Sequence, residues 1–203
     1  MSTPLHPQRI LIADDEHLMA TGLSSSLSSL GYDVIGLYAD GLSALEAARE
    51  HKPDLLILDI RMPEKDGLQV ASEIWEECQI PSVMITAYSD PQYIEQAQET
   101  GVFGYLLKPV STENLRVSIC IAWSKASEMM AKGARIEQLE RSLVERRTVE
   151  QAKWKLIEST GMSEPDAHAA MQKKARSHRL RLLDIANQII EGDLSLLSDS
   201  GAA

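Results

Sequence analysis

The chain has 203 residues, 44% of them hydrophobic, so a packed core can form and a disordered protein is excluded. Its two cysteines, Cys78 and Cys120, lie far apart, which excludes a disulfide framework or cysteine-ligated metal; we expect both to be reduced and buried. The net charge is −10, and no segment has the length and hydrophobicity of a signal peptide or membrane span, so we expect a cytoplasmic protein with no membrane partner.

The charge is unevenly distributed along the chain. Residues 1–125 carry 8 Lys and Arg against 18 Asp and Glu, whereas residues 141–181 carry 10 against 5. An acidic first part and a locally basic later part predict two domains with different partners.

Five short apolar runs recur along the first 107 residues and predict β-strands. They are Ile10–Ala13, Val34–Tyr38, Leu55–Leu58, Val83–Thr86 and Gly104–Leu107. Segments with helical spacing of leucine lie between them, which predicts a parallel sheet covered by helices on both faces. Gly31, Gly67 and Gly101 lie at element ends, where we expect the left-handed backbone that glycine adopts easily.

From Thr112 onward the pattern is helical. A helix is predicted to continue past Trp123, and Ile136, Leu139 and Leu143 fit the a and d positions of a short coiled coil. Two interpretations stay open for this segment. It is either a solvated connector helix or the seam of a parallel dimer.

The tail predicts three helices. The first ends near Ser159, before Gly161. Ser163 can cap the second helix, and Pro165 is tolerated in its first turn, so we expect that helix to run to about Ser177. A third helix is predicted over Leu180–Ile190.

Polar side chains follow four of the predicted strands. Asp14 and Asp15 follow the first, Asp59 the third, and Lys108 the fifth, while Thr86 ends the fourth. Ligands bind beyond the carboxyl ends of parallel strands, so we expect these residues to converge. Clustered carboxylates suit Mg²⁺, and an aspartate can accept a phosphoryl group. Because no separate general acid is evident, we expect a phosphoacceptor with at most slow self-dephosphorylation, and not an enzyme.

This set of residues resembles the receiver domains of two-component response regulators. The matching residues are Asp14-Asp15, Leu58-Asp-Ile-Arg-Met-Pro63, Asp66-Gly67, Thr86-Ala87 and Tyr105-Leu-Leu-Lys-Pro109. The resemblance implies a flavodoxin-like α/β receiver over residues 9–125, with a five-stranded parallel sheet in the order 2-1-3-4-5. We expect the short polar N-terminus before it, residues 1–8, to be disordered.

The resemblance also implies roles for individual residues. A sensor histidine kinase donates the phosphoryl group to Asp59. Mg²⁺ is bound by Asp15 with the help of Asp14, by Asp59, and by the backbone carbonyl of Arg61. Lys108 pairs with the phosphoryl group, and Thr86 and Tyr105 occupy the switch positions.

The tail resembles the ANTAR module of transcription antiterminators. The matching residues are Ala152-Lys153, Leu156-Ile157, Gly161-Met-Ser-Glu-Pro-Asp-Ala167, Met171, Ala175 and Leu182-Leu-Asp-Ile-Ala186. The resemblance implies a three-helix RNA-binding domain, which we place at 142–192. The sequence pattern predicts a connector at 126–141 before it and a flexible tail at 193–203 after it. His168 stands where the family usually has Tyr or Phe, so it either stacks on RNA or is an ordinary surface residue.

The ANTAR resemblance implies binding to RNA hairpins in nascent mRNA, which promotes antitermination. Candidate RNA-binding residues are His168 and seven cations that can contact phosphates. These cations are Lys153, Lys155, Lys173, Lys174, Arg176, Arg179 and Arg181. We expect phosphorylation to pair two tails in a homodimer that binds two linked hairpins. The alternative is a phosphorylation-gated regulator whose helical tail binds a protein partner or DNA.

Overall fold

The computed structural model describes residues 6–87 and 100–192. The chain divides into two compact units, Met1–Lys132 and Gly133–Ala203. The division lies within the segment that the sequence predicts as a connector, 126–141.

The first unit contains a five-stranded parallel sheet in the order β2-β1-β3-β4-β5. Its elements are β1 (Arg9–Ala13), α1 (His17–Ser29), β2 (Asp33–Tyr38), α2 (Gly41–His51), β3 (Leu55–Leu58), α3 (Gly67–Cys78), β4 (Ser82–Thr86), β5 (Val102–Leu107) and the start of α4 (Thr112–Thr160). The predicted strands, their parallel arrangement and their order are confirmed.

The sheet is buried on both faces because alternate residues of its central strands enter two different cores. Leu56 and Leu58 of β3 pack with α2 and α3, whereas Leu55 and Ile57 pack with α1 and the start of α4. All four side chains are at most 1% exposed. A strand that is apolar at every position is therefore required here.

Short polar residues fix where α2 and α3 begin. The Asp40 carboxylate accepts a hydrogen bond from the Ser43 backbone N–H at 2.7 Å, and Asp66 accepts one from Gln69 at 2.8 Å. The Gln69 side-chain oxygen accepts a hydrogen bond from the Asp66 backbone N–H, which completes a capping box. The helix after β3 therefore starts at a fixed distance from the end of that strand.

The second unit contains the later part of α4, α5 (Glu164–His178) and α6 (Leu182–Glu191). Small and apolar residues of the three helices form one core: Ala152, Leu156, Ala167, Met171, Ala175, Ile185, Ala186 and Ile189. Ser163 caps α5 by accepting a hydrogen bond from the Asp166 backbone, so the predicted helix start is confirmed. No helix in the described parts of the chain combines the length and hydrophobicity needed to cross a bilayer.

The Gln8 backbone, at the end of the segment predicted to be disordered, 1–8, donates to the Asp54 carboxylate at 2.8 Å and accepts from the Asp33 backbone at 2.8 Å. One expectation needs correction. Both cysteines were expected to be buried, which is wrong: Cys78 is half-buried and Cys120 is exposed. Residues 1–5 and the predicted flexible tail, 193–203, lie outside the described residues.

Candidate functional site

The polar residues at the strand ends converge because backbone hydrogen bonds extend the sheet past the last strand residues. The Asp59 backbone N–H donates to the Ala13 carbonyl at 2.8 Å, and Lys108 donates to the Thr86 carbonyl at 2.9 Å. Asp14 donates in the same way to Tyr38 at 3.0 Å. The side chains of Asp14, Asp59 and Lys108 therefore emerge at one edge of the sheet.

Asp14, Asp15 and Asp59 form a compact carboxylate cluster. One oxygen from each carboxylate lies within 4.8 Å of the other two. Asp14 is 2% exposed and Asp59 is 7% exposed, whereas Asp15 is exposed. Burial raises the pKa of Asp59; the charge of Lys108 opposes this shift and that of Asp14 adds to it.

Lys108 is the cation that faces this cluster. Its Nζ lies 2.9 Å from Asp14 Oδ2, 3.2 Å from Glu16 Oε1 and 3.7 Å from Asp59 Oδ2. Burial alone lowers the pKa of Lys108, but the hydrogen bond to Asp14 and the nearby carboxylates outweigh it, so the pKa is raised. Lys108 therefore carries a positive charge beside Asp59 at neutral pH.

The donor set fits Mg²⁺. Three carboxylates cluster at the edge of the sheet, two of them beside Lys108, and hard oxygen ligands of this kind are those that Mg²⁺ prefers. Asp59 Oδ1 is buried and has no hydrogen-bond partner within 6–87 and 100–192. Arg61, whose backbone carbonyl is a predicted ligand, lines a surface cavity together with Asp15 and Asp66.

The two predicted switch residues lie on neighbouring strands. Thr86 ends β4, is fully buried, and pairs in register with Leu107 of β5. Tyr105 pairs with Met84 and is partly buried against the core that α2 and α3 cover. Both residues therefore lie on the paired strands β4 and β5, and β4 is the neighbour of β3, the strand that Asp59 follows.

Two residues near Asp59 have contacts that the sequence analysis did not assign. Gly67 does not have a left-handed backbone; a Cβ at this position would instead overlap the Asp59 carbonyl oxygen. Glu16 joins the ion pairs of Lys108. The contact of Glu16 could have been predicted from the acidic run Asp14-Asp15-Glu16. A single sequence contains no feature that predicts the close approach of the Gly67 and Asp59 backbones.

The structure separates the eight candidate RNA-binding residues into two groups. Lys153 and Lys174 are 7% and 9% exposed, and Lys153 Nζ lies 2.8 Å from both Glu150 and Glu164. The sequence placed these two lysines with surface cations, and the structure corrects this. Lys153 lies beside the core residue Ala152, and Lys174 beside Ala175.

The remaining five cations are exposed at the surface of the second unit. Lys155 Nζ donates to the Ile190 carbonyl at 2.7 Å, and Arg181 pairs with Asp184 at 3.0 Å. Lys173, Arg176 and Arg179 are exposed, and their side chains have no ion pair or hydrogen bond among the described residues.

His168 and the predicted dimer seam differ in exposure. His168 is half-buried, and its Nε2 lies 2.9 Å from Gln172 Nε2. Ile136, Leu139 and Leu143 are 57%, 49% and 56% exposed in α4. These three apolar side chains are accessible to a partner, whereas His168 is only partly accessible.

Two family models match the chain. The response regulator receiver domain matches residues 10–120, and the ANTAR domain matches residues 137–190. The first match covers the sheet and the carboxylate cluster. The second covers the three-helix core.

Similar proteins include both full-length and partial matches. The chain is 38% identical over 185 residues to transcriptional regulatory protein PdtaR of Mycobacterium tuberculosis, covering 91% of this chain and 90% of PdtaR. It is 37% identical over 115 residues to the probable transcriptional regulator ycf27 of Porphyridium aerugineum, covering 57% of this chain and 48% of that protein.

Solved structures match part of the chain. The receiver domain of a modulated diguanylate cyclase from Desulfovibrio desulfuricans is 34% identical, with a TM-score of 0.57, covering 61% of this chain and 98% of that domain. A chain of the CheX–CheY–BeF3–Mg²⁺ complex from Borrelia burgdorferi is 27% identical, with a TM-score of 0.53; the match covers 56% of this chain and 87% of that chain. Together with the family matches and the similarity to PdtaR, these likenesses show that the chain belongs to the response regulators, with an N-terminal receiver domain and a C-terminal ANTAR domain.

Proposed function

We propose that Asp59 accepts a phosphoryl group from a sensor histidine kinase in the cytoplasm, and that this controls RNA binding by the ANTAR domain and thereby transcription antitermination. The observation that carries the proposal is the cluster of Asp14, Asp15, Asp59 and Lys108, in a chain that also has an ANTAR domain. The receiver acts as a phosphoacceptor and not as an enzyme.

The phosphoryl transfer follows from the chemistry of these groups. An Asp59 oxygen forms a bond to phosphorus while the phosphorus–nitrogen bond of a phosphohistidine breaks, and the electron pair of that bond returns to the imidazole. The Lys108 ammonium neutralises a phosphoryl oxygen. Mg²⁺, held by Asp14, Asp15, Asp59 and the Arg61 carbonyl, would supply further charge neutralisation.

Thr86 and Tyr105 are the proposed route from the phosphoryl group to the protein surface. The Thr86 hydroxyl can hydrogen-bond a phosphoryl oxygen, which would draw Thr86 towards Asp59. Because β4 and β5 are paired in register, a movement of Thr86 reaches the strand that carries Tyr105. A change in the Tyr105 rotamer then alters the face that β5 presents.

The output is binding to RNA hairpins through exposed cations. Lys173, Arg176 and Arg179 support this proposal best, since they are exposed and form no ion pair in the described chain. They can contact phosphates without breaking an existing interaction. Lys155 and Arg181 can contribute at the cost of their present partners, and His168 can stack on a base if its half-buried ring turns outward.

We further propose that phosphorylation favours a homodimer through Ile136, Leu139 and Leu143. Their exposure supports this, because covering exposed apolar side chains with a second helix removes them from water and stabilises the dimer. Two linked ANTAR domains would bind two linked hairpins much more tightly than one domain binds one hairpin.

The proposal is tested by RNA binding with and without phosphorylation. The probes are an RNA with two tandem hairpins and a DNA duplex of the same length, each with Mg²⁺ and with or without acetyl phosphate. Asp59→Ala is the control variant. We expect binding to the RNA in preference to the DNA, and an increase with acetyl phosphate that the variant lacks.

Two results would contradict the proposal. Equal or absent binding to both nucleic acids would reject RNA as the target and favour a protein partner. An equal response of Asp59→Ala to acetyl phosphate would reject Asp59 as the acceptor.

A further inference from the structure

One face of α4 in the second unit forms a shallow cavity away from the three-helix core. Its lining residues are Leu143, Arg146, Arg147, Glu150, Gln151 and Trp154. Successive members are separated by three or one positions, the spacing that aligns side chains on one side of an α-helix. The face is continuous over about three turns.

Trp154 is the largest side chain on this face. It is 58% exposed, while Ala152 and Leu156, two residues away on either side, are fully buried in the core. A two-residue step turns the helix by about 200°, so Trp154 lies on the side opposite the core. The Trp154 side chain is therefore not part of the core of the ANTAR domain.

The charges around Trp154 favour an anionic partner. Arg146 and Arg147 are exposed and have no ion pair or hydrogen bond within the described part of the chain. Among the described residues, Glu150 is the one acidic residue that lines the cavity, and its carboxylate lies 2.8 Å from Lys153 Nζ. The negative charge on this face is thus already paired, and the two arginines are available.

We propose that Trp154 stacks on an unpaired base of a hairpin RNA while Arg146 and Arg147 bind phosphates of the adjoining nucleotides. An exposed aromatic ring with neighbouring arginines is the combination that binds single-stranded nucleic acid, since every base has a π-face and every nucleotide a phosphate. Arg147 lies seven residues from Trp154, about 10 Å along the helix axis, so neighbouring nucleotides can reach both. The inference rests on the proposed RNA-binding function and specifies one subsite of it.

A second copy of this chain is the competing occupant. In a parallel helix pair, equivalent residues of the two chains face each other. A helix pair continued beyond the proposed seam, which ends at Leu143, would bring the Arg146 and Arg147 guanidiniums of both chains together, while Glu150, the acidic residue on this face within the described part of the chain, already pairs with Lys153. RNA phosphates compensate both arginine charges, so the observations favour a dimer contact that ends at Leu143 and RNA on the rest of the face.

The test uses the full chain with Mg²⁺ and acetyl phosphate. Affinities of wild type, Trp154→Ala and Trp154→Phe are measured for a tandem-hairpin RNA and for the same RNA with abasic loop nucleotides. We expect Trp154→Ala to weaken binding to the intact RNA by roughly 5- to 150-fold, the range for losing one base–aromatic stack, and Trp154→Phe to recover part of this. On the abasic RNA, wild type and Trp154→Ala should bind alike.

Wild-type tryptophan fluorescence provides a second readout. Trp75 is half-buried and Trp123 is buried, so Trp154 is the exposed indole of the three. Intact RNA should quench the emission of wild type and not that of Trp154→Phe. Abasic RNA should quench neither.

The two arginines are tested by the salt dependence of binding. Arg146→Gln and Arg147→Gln should each lower the slope of log affinity against log salt by about 0.7, the value for one phosphate contact with a single strand. The matched control is Arg141→Gln on the same helix, because Arg141 already pairs with Glu137. This variant should change the slope less.

Three results would overturn the inference, and they differ from one another. If wild type binds RNA and Trp154→Ala binds it equally well, the stacking site is wrong while the proposed function stands. If wild type does not bind RNA, both fail. If Trp154→Ala turns the dimer into a monomer in light scattering, and this loss of the dimer accounts for all of the weaker RNA binding, the face belongs to a second copy of the chain.

Discussion

Gly67 packs so closely against Asp59 that a Cβ on residue 67 would overlap the Asp59 backbone carbonyl oxygen. The Gly67 backbone N–H also donates to the Ile60 carbonyl at 2.9 Å. The first residue of α3 is thus fixed directly against the end of β3. The position of the proposed phosphoacceptor therefore depends on a residue that has no side chain.

This contact predicts a specific effect of Gly67→Ala. The added methyl group must displace the Asp59 backbone, since the obstructing atom is not a flexible side chain. We expect the free energy of unfolding to fall by about 1–3 kcal/mol and phosphorylation by acetyl phosphate to slow. Urea unfolding and phosphorylation kinetics measure the two effects.

Gly22→Ala in α1 is the matched control. Within the described residues, apart from the adjacent residues and the helix's own backbone, no atom lies within 4 Å of the position that a Cβ would take there, and the residue is inside a helix. This variant should gain up to about 1 kcal/mol and keep its phosphorylation rate. If both variants behave alike, close packing against Asp59 is not the reason for glycine at 67.

The carboxylate cluster predicts that Asp59→Asn stabilises the receiver in a metal chelator at pH 7. A carboxyl whose pKa is raised on folding favours the folded state at low pH, and this contribution is lost as the pH rises through the raised pKa. Ionised Asp59 therefore destabilises the fold at pH 7, and the amide removes a cost on the order of 1 kcal/mol.

Urea unfolding at two pH values checks this sign. The difference between wild type and Asp59→Asn should shrink towards pH 4, where an ordinary aspartate begins to protonate. Mg²⁺ should stabilise wild type more than the variant. A wild type at least as stable as Asp59→Asn at pH 7 in chelator would contradict the prediction.

Lys108→Met should destabilise the receiver strongly. The Lys108 side chain is 8% exposed and pairs with Asp14, which is 2% exposed, so the substitution leaves a buried carboxylate without its cation. Breaking such a pair costs roughly 3–5 kcal/mol. The free energy of unfolding should fall by this amount in chelator and recover partly with Mg²⁺.

Lys132→Met is the control for Lys108→Met. Lys132 pairs with Glu128, but both side chains are mostly exposed, at 70% and 67%. Surface pairs contribute at most about 1 kcal/mol. Equal losses in the two variants would mean that burial of the Lys108 pair has no energetic consequence.

The sheet could be predicted from sequence because its signals are local. Leu55–Leu58 is apolar at every position, and the polar residues that follow such strands must meet at one edge when the strands are parallel. The order of the strands came from the family resemblance. The contact between Gly67 and Asp59 could not be derived, since it depends on the exact approach of two backbone segments.

It was harder to predict which basic side chains are exposed and can bind phosphate, because counting charged residues does not show on which face of a helix each one lies. Lys174 follows Met171 by three residues and Ala167 by seven, a spacing that places it at the core side of α5. That spacing was visible in the sequence. The pairing of Lys153 with Glu164 was not, because it depends on how α5 packs against α4.

Salt dependence should separate the paired cations from the unpaired ones. Lys173→Gln and Arg176→Gln should each lower the slope of log RNA affinity against log salt by about 0.7–0.9. Arg181→Gln should lower it less, because Arg181 already pairs with Asp184 at 3.0 Å. Binding of a tandem-hairpin RNA across a salt series measures this. Equal slopes for all three variants would mean that existing ion pairs do not decide which cations bind phosphate.

The dimer seam predicts that Leu139→Lys prevents dimerisation of the phosphorylated protein. Leu139 is 49% exposed, so lysine should leave the fold of a single chain intact, whereas in a parallel pair two ammonium groups would face each other. Light scattering with Mg²⁺ and acetyl phosphate should give a dimer for wild type and a monomer for the variant.

RNA binding should also differ between dimeric wild type and monomeric Leu139→Lys, because tight binding to two linked hairpins requires two linked ANTAR domains. Leu139→Lys should bind a tandem hairpin no more tightly than a single hairpin, while its affinity for the single hairpin matches that of wild type. Val144→Lys is the control, since Val144 is 61% exposed but adjoins Leu143 on a different helix face. This variant should dimerise. If phosphorylated wild type binds the tandem RNA as a monomer, the seam does not act through dimerisation, and the receiver must control the RNA-binding surface within one chain.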